Sequence, residues 1–89
     1  MTKNEFLRLE QELIGIAKRH NAEFNDRMSD FDEIPFFIIN KHNVPVLADM
    51  RMLAERYGIS DAVDSQPSWG YVALDFSFVN AEECEWINQ

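Results

Sequence analysis

Phe6, Leu9, Leu13, Ile16, Ala17 and Phe24 recur at intervals of mostly three, four or seven, with Glu10, Glu12, Lys18 and Arg19 between them. That is the apolar stripe of an amphipathic helix. Ahead of it, Thr2-Lys3-Asn4-Glu5 has the form of a capping box, in which a hydroxyl and a carboxylate each satisfy a free backbone N–H at a helix start. The pattern predicts a helix over residues 3–24. Gly15 falls inside it and costs about 1 kcal/mol relative to Ala, which implies a close approach by another backbone.

Residues 25–33 are polar, acidic and aperiodic, and read as a loop. Ile34 to Asn40 gathers Ile and Phe into a run of strand length, buried on both faces at its centre, with Pro35 where a missing N–H is tolerable. After it, Val44 to Ala48 either returns as a hairpin strand before a helix capped by Asp49, or Asn43 caps a helix with Pro45 in its first turn. Under both readings Met50, Leu53, Ala54 and Tyr57 form a helical stripe that Gly58 stops. Residues 60–70 contain Pro67 and Gly70 and read mainly as loop, with room for one helical turn near Asp61 to Asp64. Tyr71 to Val79 alternates: Val72, Leu74, Phe76 and Phe78 are expected in the core, and Ala73, Asp75 and Ser77 towards water. Asn80-Ala81-Glu82-Glu83 has the form of a second capping box, which predicts a short terminal helix carrying Trp86 and Ile87.

Helices and strands in this order predict an α+β fold: a long N-terminal helix and one or two further helices on a small, mostly antiparallel sheet. The 89 residues, 46% of them apolar, suit one domain spanning 1–89. The longest apolar run, Ile34 to Ile39, is far shorter than the roughly 18 residues of a membrane span, and the charged start lacks the form of a signal peptide. Together with Cys84 as the sole cysteine, these features lead to the expectation of a cytoplasmic protein, in the host cytoplasm if it is viral.

Charge sharpens the picture. The net charge is −8, and its distribution is uneven: residues 1–56 hold ten acids and eight bases, whereas residues 57–89 hold six acids and no Lys or Arg. Such asymmetry speaks to partners rather than to fold. The chemistry of catalysis is sparse. His20, His42 and Cys84 are the candidate bases and nucleophile, and none lies within a motif that places it. Their spacing matches no zinc site, and the carboxylates of residues 30–33 and of Glu82-Glu83 lack the spaced acceptors of a calcium loop. Three glycines, at 15, 58 and 70, make neither a phosphate loop nor a dinucleotide fingerprint. The expectation is a protein that is not an enzyme and has no metal or cofactor.

Leu53-Ala54-Glu55-Arg56-Tyr57-Gly58-Ile59-Ser60 resembles the first helix and turn of helix-turn-helix proteins. The resemblance implies that a groove-reading helix follows, but that helix would carry Asp61 and Asp64, be cut by Pro67 and hold no cation for phosphates. Direct nucleic acid binding is therefore not expected. Acidic Asp61, Asp64, Asp75, Glu82, Glu83 and Glu85, with Trp69 and Tyr71 as aromatic anchors, instead form a candidate binding set for a protein with a basic surface. The functional style is that of phage-encoded anti-restriction and anti-CRISPR inhibitors. A homodimeric or structural interaction module and a degenerate helix-turn-helix regulator are the alternatives.

Overall fold

The computed structural model describes residues 1–28 and 35–79, with residues 27 and 28 described for their backbone alone. Helix α1 runs Lys3–Arg19 and opens on the expected capping box, the Thr2 hydroxyl accepting from the Glu5 N–H and the Glu5 carboxylate from the Thr2 N–H, both at 3.2 Å. The Thr2 backbone N–H, followed by its hydroxyl, holds the Glu5 carboxyl below its ordinary range. Leu9, Leu13, Ile16 and Ala17 form its buried stripe.

The helix stops at Arg19, short of the predicted residue 24. Asn21 takes a left-handed φ of 52°, and the Asn21 and Ala22 N–H groups turn back to the Lys18 and Ala17 carbonyls, the bond pattern of a Schellman end. Phe24, seven residues after Ala17, therefore lies outside the helix and starts strand β1, Phe24–Met28, whose remaining residues were expected to be loop. Strand β2, Pro35–Ile39, matches the expected apolar run, with Phe37, Ile38 and Ile39 all buried.

Of the two readings after residue 43, the helical one holds: α2 spans Val44–Arg56, with the Asn43 side chain accepting from the Val46 N–H at 2.8 Å and Pro45 in the first turn. The rejected hairpin strand would have had a proline without an N–H to pair. A second Schellman end closes α2. Gly58 has a φ of +69°, and the Gly58 and Ile59 N–H groups bond the Glu55 and Ala54 carbonyls.

A single 3₁₀ turn at Ser60–Ala62 leads into strand β3, Val63–Gln66, where a loop was expected. Strand β4 covers Tyr71–Asp75. There the predicted alternation ends, because the Asp75 carboxylate accepts from the Ser77 N–H at 2.9 Å and its hydroxyl at 2.6 Å, bending Phe76–Phe78 into a second 3₁₀ turn. Val72, Leu74 and Phe76 are buried as expected, but Phe78 is 59% exposed, and Ala73 is buried rather than facing water.

The four strands form one antiparallel sheet in the order β1-β2-β4-β3. Phe37 opposite Leu74 and Ile39 opposite Val72 place those four on the core face, against α1 and α2. Phe6, Phe24, Phe37 and Phe76 pack there, Phe24 stacked on Phe37 and Phe76 edge-on to Phe6 and Phe37, with ring centroids of contacting pairs 5.4 to 6.1 Å apart. The result is an α+β domain with two helices over one face of a four-stranded antiparallel sheet. The predicted terminal helix with Trp86, the Asp30 to Glu33 acids and Cys84 lie outside the described residues.

Candidate protein interaction surface

Strand register assigns the predicted binding residues to places. Asp64 pairs with Ala73, Gln66 with Tyr71, and Phe36 with Asp75. Alternation then puts Asp64, Tyr71 and Asp75 on the sheet face turned away from the helices. Asp61 lies on the first 3₁₀ turn, which packs against the second and against β4. Asp61, Asp64 and Asp75 therefore gather at one corner, where β3 begins and β4 ends.

Trp69 is 78% exposed in the turn that joins β3 to β4. Tyr71 starts β4 beside it, four residues and about 13 Å along the strand from Asp75. The aromatic pair and the acidic corner are thus opposite ends of one hairpin. Glu82, Glu83 and Glu85 lie outside the described residues. Phe78, which sequence reasoning assigned to the core, is exposed on the 3₁₀ turn that follows Asp75. The signal that could have found it was Asp75-Phe-Ser77, an Asp followed two residues later by a Ser able to close a turn on it.

Two acids elsewhere on the molecule, Asp49 and Glu12, meet cations. Asp49 accepts from Arg19 at 3.2 Å and pairs with His20 at 2.6 Å, while Glu12 pairs with Arg56 at 3.1 Å and accepts from the Tyr57 hydroxyl at 2.5 Å. Burial, then the Glu12 carboxylate, pushes the Tyr57 hydroxyl up. These bridges join α1 to α2. At the corner, among the described residues, the acids have only neutral donors or none: Asp64 accepts from Gln66, Asp75 from Ser77, and Asp61 makes no hydrogen bond or ion pair. No ion pair reaches these three acids among the described residues.

The remaining chemistry is limited. The His42 ring and the Ser65 hydroxyl lie 2.8 Å apart beside a cleft of about 390 Å³ lined by Arg51, Glu55, Ser60, Val63 and Ser65. A nucleophile and a base are therefore in reach of each other, but no third group orients the other ring nitrogen of His42 among the described residues. What the bond does is tie the loop before α2 to edge strand β3. No group of three His, Cys, Asp or Glu could hold a metal ion among the described residues. No described helix is long and apolar enough to cross a membrane. After the turn at Gly58, where a helix-turn-helix protein carries its recognition helix, this chain has one 3₁₀ turn and a strand. Comparison with protein-family models, with curated proteins and with solved structures finds no match.

Proposed function

We propose that the chain is a protein-binding regulator that occupies the basic surface of a nucleic-acid-handling protein, in the manner of small anti-restriction or anti-CRISPR inhibitors of viral origin. The observation that carries this reading is the corner of Asp61, Asp64 and Asp75: three acids with no ion pair among the described residues, beside a 3₁₀ turn that carries the exposed Phe78. Like charges held together cost stability, so the arrangement makes physical sense when a partner supplies the opposite charge. An exposed aromatic ring within a charged rim is also the composition of an interface hot spot. Lys and Arg that grip phosphates would be engaged by these carboxylates instead, which makes binding of the chain and of nucleic acid mutually exclusive.

The test is competition. The chain is immobilised, a nucleic-acid-handling partner is captured on it, and duplex DNA is titrated in. Displacement of the partner by DNA supports the reading; a partner that stays bound to both the chain and DNA contradicts it.

A further inference from the structure

Helix α2 has a groove on each side. The one against α1 runs past Gly15, where a Cβ would meet nothing within 4 Å, not the close backbone that a glycine inside a helix implied. The charges along it, Glu12, Arg19, Asp49 and Arg56, are paired across it. The other, a cleft of about 390 Å³ between α2 and β3, is lined by Arg51, Glu55, Ser60, Val63 and Ser65, and has the size of a small-molecule pocket. Arg51 and Glu55 are one helical turn apart, and among the described residues neither side chain makes an ion pair or a hydrogen bond, with the other or with anything else. An Arg placed four residues before a Glu is the weaker order for pairing along a helix, which favours keeping the two apart.

Val63 and Ser65 stand opposite Leu74 and Val72 of β4, so they share the face turned towards the helices, and Asp64 between them points the other way. The Ser65 hydroxyl is held by His42, which lies ahead of α2, whereas Ser60 follows the end of that helix. The cleft is therefore polarised along α2. Arg51 and Ser65 supply donors at one end, Glu55 and Ser60 supply acceptors at the other, and Val63 is an apolar wall between them. A lone anion there would meet Glu55 and a chain of net charge −8, and a lone cation would meet Arg51. A small ligand that carries both charges satisfies both ends. We infer that the α2–β3 cleft binds a free amino acid as its zwitterion. The Arg51 guanidinium and the Ser65 hydroxyl hold its carboxylate, the Glu55 carboxylate and the Ser60 hydroxyl hold its ammonium, and Val63 meets an aliphatic side chain. The site does not rest on the regulator reading, since none of its residues belongs to the corner of Asp61, Asp64 and Asp75.

Titration of the isotope-labelled chain with L-leucine at constant pH and salt, followed by two-dimensional NMR, tests this. Saturable shifts are expected at the amides of Ser60, Val63 and Ser65 and none at Gly15, with a Kd on the order of 1 mM, the range open to so small a ligand in an exposed cleft. N-acetyl-leucine lacks the ammonium and stands for a peptide C-terminus; leucinamide lacks the carboxylate and stands for an N-terminus. Each is expected to bind at least about tenfold more weakly than leucine, and leucine to bind the Arg51→Gln and Glu55→Gln variants more weakly by the same factor. Both side chains are exposed, so both variants are expected to melt as the parent does. The inference is overturned if leucine gives no saturable shift up to about 50 mM, if either analogue binds as well as leucine, or if either folded variant binds leucine as the parent does.

Discussion

A glycine in the middle of a helix normally has to be explained by something packed against it, and the absence of any atom near a Gly15 Cβ turns that rule into a measurable gain. Gly15→Ala is expected to stabilise the fold by about 1 kcal/mol, a rise in melting temperature of about 4–8 °C for a domain of this size. A fall on thermal melting would mean that the site is more crowded than described. Glu10 offers a second single-residue test. Burial first, then a hydrogen bond to Asp26 and repulsion by its charge, holds the Glu10 carboxyl above its ordinary range. Folding thus favours the protonated form: this contribution is fully present below the unfolded carboxyl pKa and is lost as pH rises through the folded one. Glu10→Gln is expected to raise the melting temperature near pH 7, and to leave it unchanged near pH 3, where Glu10 is protonated in both states. An equal gain at both values would show that the effect is not ionisation.

Among the elements, β4 and the turn after it divide the phenylalanines sharply. Phe76→Ala is expected to cost about 3–5 kcal/mol through the cavity it leaves among Phe6, Phe37 and the helices, whereas Phe78→Ser is expected to change stability by no more than about 0.5 kcal/mol. Denaturant titration of the two variants checks it; equal costs would restore Phe78 to the core. The Asn43 cap was one of two open readings, since Val44 to Ala48 also suits a strand. Helix α1, strand β2 and the Gly58 stop were legible because each rests on a local signal: a long stripe, an apolar run, a residue that tolerates positive φ. Strands β1 and β3 were not, for a shared reason. Both are edge strands of polar composition, Phe-Asn-Asp-Arg-Met and Val-Asp-Ser-Gln, and their pairing with β2 and β4 is a long-range event that leaves little alternation in the sequence. The helix end at Arg19 was missed because Phe24 falls at helical spacing while Asn21, only occasionally left-handed, carries the stop.

At the scale of the whole molecule, part of the charge asymmetry read from the sequence becomes spatial: Glu12 and Asp49 bridge the two helices through cations, and Asp61, Asp64 and Asp75 gather where β3 begins and β4 ends. Sequence could not show that gathering, since Asp61, Asp64 and Asp75 come together only through the β3–β4 register and the packing of two 3₁₀ turns. It is this corner that the proposed function rests on. The most direct measurement compares capture of a nucleic-acid-handling partner at low salt by the parent chain and by Asp61→Lys with Asp64→Lys, substitutions that shift the net charge from −8 by four units. Both residues lie outside the core and the substitutions relieve like-charge repulsion, so the double variant should melt no lower than the parent. The account predicts that a partner with a basic surface is retained by the parent, is released as salt rises, and is lost by the double variant through slower association. Equal retention of that partner by the folded double variant would contradict it.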